Sequence, residues 1–344
     1  MRSGVAWMSL KQFLKNNSRE VGLLVALVVM TALFGAINPL YVSPANITDI
    51  VNQATIYGLM ALGMTFIVIS GGIDLSVGSV LALIGVIVAN MAVAGIHPLL
   101  CIAAGIAIGF GVGAMNGFMV AKMNLQPFVA TLGAMSFIRG FAYVISGGYP
   151  VIGIPASYRT MVDGMLFNGI RTSILIFLIV AVVCHILLKH TKFGNYTYAI
   201  GGNEEATRLS GVKVDRYKIL VYAVGVSCTA VAALVQLGKL GTGEASAGQG
   251  YELNAIAAVA IGGASMAGGR GGIVGTVLGA LLFAGLKVGL IVVGVDTFWQ
   301  YVATGLVIVI AAYSEKIQSK LSETSGRVRA WGEPSPGASK AAGD

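Results

Sequence analysis

The sequence predicts an all-α polytopic membrane protein of about ten transmembrane helices, with both termini cytoplasmic. Three observations carry that prediction. Of 344 residues, 56% are apolar and only 10% are charged, with a mean hydropathy of +0.84, whereas a soluble chain carries about a quarter charged residues. The apolar residues gather into runs close to the ~20 residues that a helix needs to cross a ~30 Å hydrocarbon core. The Lys and Arg residues concentrate in alternate connecting segments, as cytoplasmic loops require. This composition excludes an ordinary cytosolic enzyme, a disordered regulator and a nucleic-acid binder. Forty-eight glycines spread through the apolar runs suit membrane helices packed backbone to backbone. Cys101, Cys184 and Cys228 lie scattered in apolar stretches, with the spacing of neither a disulfide framework nor a zinc site.

Ten runs qualify as spans: 21–37, 51–70, 75–94, 98–120, 127–145, 173–188, 217–237, 254–267, 273–294 and 297–313. Two of them, 173–188 and 254–267, are short. The second reads either as a span extended by its neighbours or as a broken, half-crossing helix. Lys11, Lys15 and Arg19 precede the first run as in a secretory signal, but Ile37-Asn38-Pro39 follows without a small-x-small cleavage pattern. It therefore reads as a retained anchor. With the N-terminus inside, seventeen of the 22 Lys and Arg residues fall on the inner side, and only Arg159, Arg171 and Lys239 fall outside. Residues 1–20 read as a cytoplasmic segment and 21–313 as a membrane domain. Residues 314–344, rich in Gly, Pro and Ser over 332–339, read as a disordered cytoplasmic tail. The net charge of +8 then marks topology and meets the anionic headgroups of the bilayer. Divided among five segments, it forms no nucleic-acid footprint.

The chain has no G-x-x-x-x-G-K-[ST] loop, and its carboxylates lie at termini, in loops or at span edges. Proton-coupled transporters place ionisable residues within the bilayer. His97, His185 and His190 have no metal-ligand spacing. No catalytic, metal or cofactor residue is expected, and a transport activity would draw its energy from another subunit.

Three segments carry more specific character than a hydrophobic helix needs. In Gly71-Gly72-Ile73-Asp74-Leu75-Ser76-Val77-Gly78-Ser79, Gly71-Gly72 permits a sharp reversal and Asp74 or Ser76 could cap the next helix. In Gly202-Asn203-Glu204-Glu205-Ala206-Thr207-Arg208-Leu209-Ser210-Gly211-Val212, Asn203 caps a short helix, Glu204 and Glu205 sit in its first turn, and Gly211 stops it. Its mixed-sign polar face suits protein docking better than headgroup binding, which favours Lys and Arg. The third segment runs from Gly250-Tyr251-Glu252-Leu253-Asn254 to a turn at Gly268, Gly269 and Gly271, read as a tight hairpin between two helices.

These segments, in this order, resemble the permease subunits of bacterial ATP-binding-cassette importers for monosaccharides, the ribose type in particular. The resemblance covers about 21–313. It implies ten membrane helices in the bacterial inner membrane, a homodimer, a cytoplasmic ATPase that holds the ATP and magnesium, and a periplasmic sugar-binding protein. It makes Asn203, Glu204, Glu205, Ala206, Arg208, Leu209 and Gly211 the loop that couples to the ATPase. Position 254 departs from it, with asparagine where such permeases commonly carry aspartate.

A neutral sugar needs hydrogen-bonding groups along its path. Asn52, Gln53, Tyr57, Asn90, Asn116, Ser227 and Gln236 are the candidates; interhelical hydrogen bonding is the competing role for each. Arg139 and Lys287 fall inside spans, within reach of snorkelling or of pairing with Asp163, Glu244 or Asp296. The long outer loop 146–172 offers Arg159 and Arg171 as a ledge for the binding protein. The rival function is an ion-coupled secondary transporter of a small polar solute.

Overall fold

The computed structural model describes residues 18–166, 170–296, 298–310 and 313. The regions 1–17 and 314–344, read above as cytoplasmic ends, lie outside the described residues. The described chain is helical, with two isolated β-bridges, Val151–Gly243 and Met165–Arg171. Its helices are α1 Ser18–Ile37, α2 Pro44–Ile69, α3 Val77–Val93, α4 Pro98–Ala121, α5 Pro127–Ser146, α6 Ala156–Asp163, α7 Thr172–His190, α8 Lys192–Gly202, α9 Glu204–Leu209, α10 Val214–Leu240, α11 Tyr251–Ile261, α12 Ile273–Val292 and α13 Phe298–Ile310. Proline opens α2, α4 and α5 at the first helical position, where its fixed φ suits the helix and its missing N–H is no loss.

Seven of these helices (α1, α2, α4, α5, α7, α10 and α12) are long and apolar enough to cross a membrane. Each falls on an expected run, and the short run 173–188 proves to be a 19-residue helix. The other three expected runs are shorter apolar helices, α3, α11 and α13. The run 254–267 overlaps the short helix Tyr251–Ile261, which rises only about 16 Å. It stops at Gly262-Gly263, the latter with φ +86°.

The buried core centres on α2 and α10, with α3 and α4 against them. The glycine content acquires a location here. Gly105, Gly109, Gly113 and Gly117 recur at four-residue spacing along α4 and face α10, so that a methyl at Gly117 would lie 2.6 Å from the Ile219 Cα. Gly63 of α2 meets the Gly225 carbonyl of α10. Apolar burial drives little helix association within lipid, so close backbone approach supplies the contact. By contrast, α1 lies on the outside, where Phe34 and Tyr41 seat it on α12.

Lys122, Arg208, Lys213, Arg216, Lys218 and Arg270 gather at one end of the bundle, referred to below as the basic end. There the first and third motif segments meet α8: the Gly269 N–H donates to the Ile69 carbonyl at 2.8 Å. A methyl at Gly268 would lie 2.7 Å from the Gly201 carbonyl and 3.1 Å from the Gly71 Cα. Gly268, Gly269 and Gly271 all have positive φ and lie in the connection 262–272 between α11 and α12, longer than the tight hairpin expected.

Candidate functional site

Two breaks in the helical backbone lie within the bundle, 241–250 and 70–76, and the second falls on the first motif segment. After α10, residues 241–250 turn back along α3. A methyl at Gly243 would lie 2.6 Å from the Ala89 Cβ, and one at Gly248 would lie 2.7 Å from the Gly78 carbonyl. The segment therefore descends about two to three turns of α3, roughly 11–16 Å, before α11 begins. Non-helical backbone at that depth is tolerated only where protein satisfies it. Arg139 of α5 does so, donating to the carbonyls of Ala245 and Ala247, both at 2.6 Å, with the Glu252 carboxylate near enough to attract it. Arg139 thus neither snorkels nor pairs with Asp163, Glu244 or Asp296. Asp163 binds Arg171 at 2.7 Å instead.

The second break is 70–76. Ser76 occupies the N-cap position of α3 without a side-chain cap bond, and Asp74 does not cap the helix either. Asp74 is fully buried. Its Oδ1 accepts from the Ser76 N–H (2.8 Å) and hydroxyl (2.6 Å), and its Oδ2 accepts from Asn116 Nδ2 at 3.0 Å. The Tyr222 hydroxyl donates to the Ile73 carbonyl at 3.2 Å. The capped-turn expectation is corrected: Asp74 ties the break to α4, because a carboxylate sealed from water must find its donors within the protein. Asn116, a path candidate, is one of those donors.

Between the breaks, at mid-depth, lies a chamber of about 270 Å³ lined by Tyr251, Asn254, Lys287, Gln300, Tyr301 and Thr304 among others. Tyr57 borders it, twelve residues or about 18 Å from the Ile69 end of α2, and its ring stands edge-on to Tyr251 at 5.1 Å. Lys287 turns inward. Its ammonium donates to the Tyr57 hydroxyl at 3.3 Å and lies 5.0 Å from that ring's centre. Gln236 donates to the Tyr251 hydroxyl at 3.4 Å. Of the path candidates, Tyr57 and Gln236 belong to this group. Asn90 is exposed and bonds to its own helix at Val86. Asn52 is buried on α2 with its Oδ1 unpartnered, and Gln53 beside it is half-buried. Tyr251, Gln300, Tyr301 and Thr304 were not among the path candidates, although a tyrosine opening a short helix beside Glu252 and Asn254 was a usable signal. Amides, hydroxyls and aromatic edges around a confined volume can hydrogen-bond and stack on a polyhydroxy solute.

At the basic end, α9 forms as expected. Asn203 Oδ1 accepts from the Ala206 N–H at 2.9 Å, and Gly211 follows with φ +84°. The charges are used differently from the expectation. Glu204 binds Lys218 (2.9 Å) and Arg208 (3.3 Å), Arg208 binds Asp215 (3.0 Å), and Asp215 binds Lys122 (2.7 Å). The Lys122 ammonium, then the Arg208 guanidinium, hold the Asp215 carboxyl below its ordinary pKa. This chain of pairs braces α9 against the starts of α10 and the α4–α5 turn. Glu205, Ala206 and Leu209 face outward, Leu209 being 81% exposed.

At the opposite end, Arg159, Arg171 and Lys239 line one open cleft of about 480 Å³ with Asp163 and Thr160. The Tyr158 hydroxyl anchors α6 there by donating to the Leu234 carbonyl at 3.1 Å. The three cations assigned to the outer side are therefore neighbours.

The ribose import permease protein RbsC of Bacillus subtilis is 40% identical over 88% of this chain and 94% of its own length. The D-allose transport system permease protein AlsC of Escherichia coli is 34% identical over 88% of this chain and 93% of its own. The xylose transport system permease protein XylH of Haemophilus influenzae is likewise 34% identical, over 87% and 96%. No solved structure matches the chain. With residues 46–312 matched throughout, the chain belongs to the family described as the branched-chain amino acid transport system permease component.

Proposed function

We propose that this chain is the membrane subunit of an ATP-binding-cassette importer for a monosaccharide. It provides the translocation path in the bacterial inner membrane and catalyses no reaction itself. The observation that carries the reading is similarity over nearly the whole chain to permeases named for ribose, allose and xylose, together with a chamber at mid-depth lined by tyrosines, amides and Lys287. In this reading the basic end is cytoplasmic, ten helices are membrane-embedded with α11 crossing only in part, and two copies work together. A separate cytoplasmic ATPase docks on α9, and a periplasmic binding protein docks at the Arg159–Arg171–Lys239 cleft. Braced by its ion pairs, α9 transmits ATPase closure as a rigid lever, with Leu209 and Glu205 at the contact. The chamber's tyrosines and amides meet the sugar, and the Asp74 and Arg139 ties keep the two backbone breaks in register.

The test is uptake of labelled ribose, allose and xylose into liposomes holding the purified chain. Uptake is expected only with the partner ATPase, ATP and the binding protein. Uptake by the chain alone under an ion gradient would overturn the reading in favour of a secondary transporter.

A further inference from the structure

At the basic end, α1, α7, α8 and α12 enclose a cleft of about 530 Å³. Its mouth carries Glu20 from the first turn of α1, Lys189 from the last turn of α7, His185 one turn deeper, and the lead into α12 at Gly272. Its interior is apolar, with Leu24 and Leu278 one to one and a half turns further in, about 6–8 Å deeper. Polar groups at the level of the helix ends above an apolar floor match the headgroup-to-acyl boundary of a bilayer. The cleft opens to the outside of the bundle: Leu24 is 47% and Val274 48% exposed.

Glu20 and Lys189 line this one space with opposite charge, yet they form no ion pair with each other or with any other described residue. A gap separates them. The first turn of α12 adds N–H groups that no side chain caps, and a methyl at Gly272 would meet nothing within 4 Å. The cleft thus presents a cation, a carboxylate and the first turn of α12, which no side chain caps. We infer that it binds a phosphatidylethanolamine-type zwitterionic phospholipid. The phosphate meets Lys189, His185 and the α12 amides, the primary ammonium donates to Glu20, and the acyl chains follow Leu24 and Leu278. A choline headgroup cannot donate hydrogen bonds to Glu20, and an anionic glycerol headgroup leaves Glu20 facing like charge. Because the Tyr198 hydroxyl of α8 donates to the Gly271 carbonyl at 2.8 Å, the lipid would rest against the helix that leads directly into α9.

The experiment is native mass spectrometry of the full chain in mild detergent, titrated with ethanolamine, choline and glycerol phospholipids of identical acyl chains. The ethanolamine lipid is expected to be retained about fivefold or more above the other two, the scale of one charge-assisted hydrogen bond. Lys189→Ala should lower retention of all phospholipids. Glu20→Gln should lower the ethanolamine lipid and raise the glycerol lipid, a reversal that simple loss of structure would not produce. Equal retention of all three lipids, a preference of the unaltered chain for the glycerol lipid, or no change of preference in Glu20→Gln would each overturn the assignment.

Discussion

Arg139 offers the sharpest test of how the broken backbone is held. Its guanidinium donates to two carbonyls, Ala245 and Ala247, each at 2.6 Å, in a segment that leaves its own carbonyls outside any helix. Arg139→Met keeps much of the side-chain bulk and removes both bonds. A buried acceptor left unmade costs about 1–3 kcal/mol, while interhelical hydrogen bonds measured in membranes average nearer 0.6 kcal/mol because the unfolded chain also finds partners. Two carbonyls, with some relief from no longer burying a charge, give a destabilisation of about 2–4 kcal/mol. Arg139→Lys, a point donor without the fork, should recover about half of that. Equilibrium unfolding in mixed detergent–dodecylsulfate micelles measures both. If Arg139→Met falls within about 0.5 kcal/mol of the unaltered chain, or if Lys and Met are indistinguishable, Arg139 does not hold the break.

Three further outcomes follow from the same geometry. Gly113→Val should separate α4 from α10, because its side chain would enter the Tyr222 backbone; a loss of about 1–3 kcal/mol in the same micelle assay is expected, while Gly111→Val, whose surroundings are open, should cost far less. Leu209→Ala removes the most exposed large apolar side chain on α9 and should weaken co-purification with the ATPase about tenfold, from roughly 1.5 kcal/mol of lost burial, with the helix still formed. The ion-pair brace has an acid limit. Asp215 has a depressed pKa in the folded chain, so its contribution is complete above the unfolded value of about 3.9 and is lost as pH falls through the lower folded value. Thermal stability should therefore lose an acid-dependent component below about pH 4, and Asp215→Asn should remove that component; an unchanged acid limb in Asp215→Asn would refute the brace.

Local physics fixed much of this molecule. Transfer free energy per residue locates apolar runs whatever their neighbours, so helices over 98–120, 127–145 and 273–294 were legible to within a few residues. The Asn203 cap and the glycine turns were legible for the same reason, since each is settled within four residues of chain. Asp74 was not legible. Its spacing suits a helix cap, and only Asn116, forty-two residues away, reveals it as an interhelical tie. Arg139 and Lys287 looked like snorkelling cations because hydropathy measures depth along a helix and says nothing of which face meets a neighbour. The chamber combines α2, α10, α11, α12 and α13, so no single period in the sequence could mark its lining.

The sequence alone determined that the chain lives in a membrane, which segments are apolar enough to be helical there, and which end carries the positive charge. Those properties are sums over adjacent residues. The tertiary structure alone decided where helices stop short and which buried polar groups satisfy one another. It also decided which amides face a cavity, because a hydrogen bond between distant segments depends on how helices rotate and pack rather than on what lies next to them in the chain.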